Sequence, residues 1–433
     1  MTRRPWVVGN RWDALDGVTP EALPTVSVIV AHYDQPGELA RTLHALHAQD
    51  YPRELLEIVV ADDGSAGRVS VPEGVILVRQ EDQGFRLAAA RNLGVRASTG
   101  EVLCFLDADT APEPGYVRAL TRLPALLPDA VTVGRRRHAD FSGIAQDAPV
   151  VEAAAGRELA EPSWLTDEYA RTGDLRDADD RSYRFVIGAV IACSRLLFEE
   201  VGRFDESFTA YGGEDWEWAH RMWQAGAVFA HVPSAVAWHD GPDWGERTGS
   251  GWERANAQTL RLGSSIPVAG SAPRGLLSDT PDLVVEIAGS HPPAALFVMV
   301  DSILAAFPLA RVVLSGEAAG LLDDPRVMVD GSEHDARVTW RLDRSIVVLD
   351  RASIAECIAT LGTGDVGTVD LVGPEGASYG MLRSRRATRR SRRWGTEEGF
   401  ERRQVEAPGI LPLRSDPRVS AWLAGWGGSA EFS

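Results

Sequence analysis

The sequence predicts an α/β chain built on a doubly wound, mostly parallel sheet, in more than one domain. Three observations carry that prediction. Uninterrupted β-branched runs such as "VSVIVA" (26–31) have the composition of strands buried on both faces. Such runs alternate with helical stretches, the order that βαβ units produce. At 433 residues, the chain also exceeds the usual size of one domain.

The first strand leads into "PGELARTLHALHAQ", where Leu39, Leu43 and Leu46 recur at helical spacing. "LEIVVADDGS" follows as a second strand closing on Asp62 and Asp63. After "VILVRQ", the segment "GFRLAAARNLGVRAS" reads as a helix and "GEVLCFLDAD" as a strand ending in Asp107 and Asp109. Sheets of this kind bind ligands beyond the carboxyl ends of their strands, and four aspartates collect there. A second group of elements spans 183–240. "YRFVIGAVIACSRLLFEEVGRFDESF" holds a strand and a short helix. "YGGEDWEWAHRMWQAG" is a helix opened by Gly212 and Gly213, with Glu214 and Asp215 where negative charge suits a helix N-terminus. "AVFAHVPSAVAWHDG" is a strand that leaves His239 near its end. Composition turns linker-like over 263–281. The expected domains are 1–265, a linker at 266–281, a smaller α/β domain at 282–380, and an Arg-rich segment with tail at 381–433.

Hydrophobic residues make up 44% and charged residues 24%, ordinary for a globular protein. The net charge of −18 argues against non-specific nucleic-acid binding. All positive charge is Arg; there is no Lys. Cys104, Cys193 and Cys357 are far apart without metal-ligand spacing, so buried thiols in a reducing compartment are expected. Neither a signal-peptide core nor an apolar stretch of about 18 residues occurs, which points to a cytoplasmic protein without a membrane span.

Asp107 and Asp109 flank Ala108, so in an extended strand both carboxylates share a face. Like charges that close repel unless a cation joins them. Mg²⁺ or Mn²⁺, held by one or two carboxylates and substrate phosphates, would do so. A solvated acidic turn is the alternative for an isolated Asp-x-Asp. Here "VSVIVAHYDQP", "EIVVADDGS", "GFRLAAARNLG", "VLCFLDAD" and "YGGEDWEWAHRMWQAG" accompany it in order. Together they resemble family 2 glycosyltransferases of GT-A fold, of the chondroitin-polymerase-like and polypeptide N-acetylgalactosaminyltransferase-like kind, over residues 24–243.

The resemblance implies a nucleotide-diphospho-sugar transferase fold and an inverting transfer from a UDP-linked or other sugar nucleotide to an acceptor hydroxyl, with Mn²⁺ or Mg²⁺. By position, Asp109 and His239 would ligate the metal, and Asp107 would meet the ribose or the metal's water shell. Asp62 would recognise the base, with His32, Tyr33 and Asp34 lining its pocket; Tyr33 either packs on the base or joins the core. Arg91 would meet the diphosphate or ribose, with Arg86 a second candidate. Asp215 matches the catalytic base. Gly188, Gly213, Glu214 and Trp216 would contact donor or acceptor sugar. Trp216 and Trp218 cannot both face one way on a helix, so one belongs to the core. The polar, weakly patterned stretch 140–182 would form a mobile cover on the acceptor side. The rival functions are a sugar-phosphate nucleotidyltransferase and a non-enzymatic carbohydrate-binding or scaffold protein.

Residues 282–380 echo the first domain. Residues 292–316 parallel 36–64, and 345–361 parallel 101–120. That alignment sets Asp350 against Asp107, Ala352 against Asp109, and Ser315 with Gly316 against Asp62 with Asp63. The region is therefore either a degenerate copy without catalysis or a chance likeness between βαβ segments. "LRSRRATRRSRRW" concentrates positive charge in an acidic chain. It is read as a solvated helical face or flexible tail, or as a contact from Arg383 to Arg393 with anionic lipid on the inner face of the membrane or with an acidic partner. "WLAGWGGSAEFS" is a weakly docked or disordered tail.

Overall fold

The computed structural model describes residues 6–242, 251–314, 322–329, 335–413 and 416–424. It divides into two compact units, Met1–Leu262 and Gly263–Ser433. Both are α/β. The expected Ser315, Gly316 and 425–433 features lie outside the described residues.

In the first unit, β1 (Val26–His32) is buried at every position, as its β-branched run requires. It pairs in parallel with β2 (Leu56–Asp62) on one side and β4 (Val102–Asp107) on the other. β3 (Ile76–Arg79) extends the parallel set beyond β2. The crossovers are α1 (Pro36–His47) and α2 (Leu87–Arg96). A short β5 (Thr110–Pro112) and α3 (Tyr116–Leu126) lead into β6 (Ala130–Ala139). β8 (Val190–Ser194) lies antiparallel between β4 and β6. α6 (Arg195–Val201) and α7 (Glu214–Gln224) precede the long β9 (Val228–Asp240), which runs parallel to β6 and turns its far half against β5. α8 (Gly251–Ser265) follows. The strand ends that carry Asp62, Asp107 and His239 therefore come to the same end of a single sheet.

The stretch 140–182 is more regular than its composition suggests. It contains α4 (Val150–Ala154), β7 (Glu158–Leu159) paired with β6, and α5 (Ser163–Thr172). α5 buries only Leu165, Tyr169 and Thr172, a stripe too sparse to register as apolar periodicity. Tyr169 stacks on His231 at 3.7 Å.

The second unit holds β10 (Leu283–Ile287), α9 (Pro293–Ala306), β11 (Arg311–Leu314), β12 (Val327–Val329), β13 (Val338–Leu342), β14 (Ile346–Val348) and α10 (Ala352–Leu361). β15 (Val366–Val372), β16 (Ser378–Ser384), α11 (Arg385–Trp394), β17 (Glu401–Glu406), β18 (Ile410–Pro412) and α12 (Val419–Ala424) complete it. Its main sheet runs β12-β11-β10-β13-β16-β15-β17. The expected boundary at 380 falls inside β16, an interior strand, and the linker-like 266–281 belongs to this unit, with Ile266 and Val268 buried.

Two further expectations change here. The strand parallel to β10 is β13, not the 345–349 run, because "VTWRL" alternates polar with apolar residues and hides its burial. β14 pairs instead with β18 in a small separate sheet, so Asp350 and Ala352 do not occupy the positions of Asp107 and Asp109. The Arg run is neither tail nor bare solvated face. Arg386 and Arg390 are buried against Phe400 at 5.6 and 4.4 Å, Arg383 pairs with Glu397, and Arg385 pairs with Asp335. Among the described residues, no helix is long and apolar enough to cross a membrane.

Candidate active site

The site grows from the end of β4. Val102 to Leu106 are buried, and the chain then presents Asp107, Ala108 and Asp109. Arg91, on α2 and 1% exposed, donates to Asp107 at 2.9 Å and to Glu214 at 3.1 Å. One guanidinium thus ties the strand end to the head of α7, in the planar fork geometry that lysine lacks. Burial works against its charge, yet Asp107, Glu214 and Asp215 together push its pKa up.

Asp109 is the second charge. Its Oδ2 lies 3.5 Å from His239 Nε2 and accepts from Gln35 Nε2 at 3.3 Å. The Gly241 carbonyl, 3.1 Å from His239 Nδ1, assigns the ring hydrogen to that nitrogen. Nε2 is then the ring nitrogen left to join that carboxylate on a cation. Burial pushes the Asp109 carboxyl up; His239 opposes this and Asp107 adds to it. Asp109 and His239 are thus the residues that fit a divalent ion. Among the described residues, no third His, Cys, Asp or Glu joins them. Two protein ligands leave room for phosphate oxygens and water. A cavity of about 440 Å³ lined by Gln35, Arg41, Asp109, Ser142 and Asp240 opens beside the carboxylate.

α7 supplies the other carboxylates. Gly212 and Gly213 both hold left-handed φ, 89° and 96°, in the turn that aims the helix. Asp215 is partly buried and accepts from the backbone N–H groups of Gly188 (2.9 Å) and Trp216 (2.8 Å), which fix the carboxylate's orientation. Burial pushes both neighbours up, Glu214 to about 7 with Asp215 adding and Arg91 opposing. A Cβ at Gly188 would come within 2.7 Å of Arg91, so this glycine makes room for the guanidinium. Trp218 is the core member of its pair, fully buried, while Trp216 is partly exposed near Tyr183.

The residues expected at the base divide differently. Asp62 is fully buried, and its carboxylate is taken by His32 at 2.9 Å, Arg79 at 3.3 Å and the Ser65 hydroxyl. His32 is also buried, its Nε2 accepting from the Gln35 N–H at 3.3 Å. Tyr33 is 46% exposed, so it is not core, and Asp34 holds a left-handed turn that ties to Ala66. Arg86 reaches Gln83, and its backbone N–H donates to Asp63 at 2.8 Å. Sequence reasoning missed Gln35 and His138. His138 pairs with His239 across the β6–β9 ladder, 4.9 Å ring to ring, and meets the same Gly241 carbonyl at 3.0 Å. Only that pairing reveals it.

Residues 27–173 match the glycosyl transferase family 2 model, and residues 179–238 match the model described as the N-terminal domain of galactosyltransferase. Chondroitin synthase of Escherichia coli is 31% identical over 244 residues, 50% of this chain and 35% of that protein. Validoxylamine A glucosyltransferase of Streptomyces hygroscopicus subsp. jinggangensis is 30% identical over 55% of this chain and 59% of its own. The chain thus spans about a third to three-fifths of the length of these relatives. Among solved structures, GalNAc-T7 with UDP, GalNAc and Mn²⁺ is 22% identical at a TM-score of 0.38, over 53% of this chain and 46% of that one.

Proposed function

We propose that the first unit, whose residues 27–173 match the glycosyl transferase family 2 model, moves a sugar from a nucleoside-diphosphate donor, UDP-linked, onto an acceptor hydroxyl with inversion. The observation that supports this reading is the Arg91 bridge, which joins Asp107 at the end of β4 to Glu214 at the head of α7.

In this reading Asp109 and His239 would hold Mn²⁺ or Mg²⁺, and the ion would supply positive charge toward a leaving diphosphate. Asp215, its carboxylate oriented by the Gly188 and Trp216 N–H groups, takes the proton from the attacking hydroxyl. Its raised pKa makes it a stronger base than a surface aspartate. Attack opposite the diphosphate needs no covalent enzyme intermediate. Partly exposed Trp216 flanks the acceptor, and exposed Tyr33 offers its ring to the base. Placement in the cytoplasm goes with this reading.

The test is a screen of sugar nucleotides with Mn²⁺ or Mg²⁺, reading release of nucleoside diphosphate. Asp215→Asn is expected to lower transfer by about 10²- to 10⁴-fold while nucleotide binding persists. Full transfer activity in that variant would remove Asp215 from the reaction.

A further inference from the structure

We infer that residues 282–413 are a second copy of the first unit's fold that has kept the sheet and lost the donor site, so that the chain carries one sugar-nucleotide site; the inference rests on the donor site proposed above. The two sheets agree strand by strand. β12, β11, β10, β13, β16, β15 and β17 stand in the order of β3, β2, β1, β4, β8, β6 and β9. Directions agree as well. The first four strands of each are parallel, β16 is antiparallel to both neighbours as β8 is, and β17 runs parallel to β15 as β9 does to β6. The β14–β18 ladder repeats β5 against the far half of β9.

Register agrees too. Val338 opposes Leu283 and Ser384, as Val102 opposes Val26 and Ser194. Both serines cap the helix that follows, accepting from the N–H of Leu197 and of Ala387. The Leu413 N–H donates to the Ser345 carbonyl at 2.9 Å, as the Asp240 N–H donates to that of Asp109 at 2.9 Å. A chance likeness between βαβ segments would reproduce the parallel strands. It would not reproduce the antiparallel strands, the small ladder and the cap.

That register shows what was lost. Ser345 stands where Asp109 does, and Pro412 faces Ile346 where His239 faces Thr110. Proline has no ligand atom in its side chain. The Ser345 hydroxyl is occupied by His291 Nδ1 at 2.8 Å, and His291 Nε2 lies 3.0 Å from the Ala288 carbonyl. Three segments are also shortened. Residues 330–337 join β12 to β13 where 80–101, with α2 and Arg91, join β3 to β4. Residues 373–377 stand for 140–189, which carries Gly188, and 395–400 stand for 202–227, which carries Glu214 and Asp215. Asp343 alone is kept, at the position of Asp107, and it is exposed. What survives builds the sheet; what is gone is the set that would hold a diphosphate and take a proton.

Calorimetric titration of UDP with saturating Mn²⁺ into the full chain tests this. One site per chain is expected, lost in Asp109→Asn of native circular dichroism and unchanged in Asp343→Asn or Ser345→Ala. Two sites per chain, one lost in Asp109→Asn and the other in Asp343→Asn, would overturn the inference and leave the transferase reading standing; binding that survives Asp109→Asn and disappears in Asp343→Asn would overturn both. Absence of binding to every nucleoside diphosphate would instead count against the transferase reading. An experimental structure then decides the copy by itself: strands of 282–413 in another order, direction or register would overturn it, and agreement would uphold it.

Discussion

Arg91 is the residue on which the site's electrostatics turn. It is buried between two carboxylates, and removing one partner of a buried ion pair leaves charge without compensation. Arg91→Ala is therefore expected to cost about 3–5 kcal/mol in denaturant unfolding, and Arg91→Lys should fail to restore it, since one ammonium cannot span both partners. Glu214 gives the pH dependence. Its folded pKa, about 7, lies above its ordinary value of 4.5. The folded chain thus holds that proton more tightly than the unfolded chain. The stabilisation is complete below pH 4.5 and is lost as pH rises through about 7, on the order of 3 kcal/mol. Metal-free protein should melt at progressively lower temperature from pH 5 to 8, and Glu214→Gln should flatten that slope.

At the scale of elements, the turn before α7 and the helix α11 make separate predictions. Gly213 sits at φ 96°, and an added Cβ would meet Gln258 and Phe208 at 3.2 Å. Gly213→Ala should cost about 1–3 kcal/mol and lower turnover further, because the strained turn carries Glu214 and Asp215 with it. α11 reads as a surface helix from its charge alone. Its Arg390 is buried with the guanidinium 4.4 Å from the Phe400 ring. Arg390→Ala should therefore lower stability by about 1–3 kcal/mol, where a solvated arginine would be silent.

For the whole molecule, the relevant fact is two compact units with separate sheets. Among the described residues, the first gathers the carboxylates and histidine that could hold a cation. Differential scanning calorimetry should resolve two transitions, of which Mn²⁺ with UDP raises one. At a hundred times Kd the ligand adds about 2.7 kcal/mol to the unit that binds it. A shift of both transitions would mean a second ligand site or coupled unfolding of the units; a comparison with Asp109→Asn separates the two.

The sequence by itself determined the strands whose faces are both buried, because short apolar runs such as 26–30 and 102–106, set between turn signals, read as buried strands. It also located Asp107, Asp109, Asp215 and His239, since strand ends and helix heads follow from local pattern. Tertiary structure decided which partners those charges have. Arg91 reaches Glu214 across 123 positions, Asp62 is consumed by His32 and Ser65, and His138 comes beside His239 only through strand register. It also decided that "VTWRL", and not the more apolar "SIVVL", is the strand beside β10. Hydrophobic periodicity reports whether a segment is buried, along one dimension. Pairing between distant strands is fixed by which surfaces close against each other, and that information is spread over the whole chain.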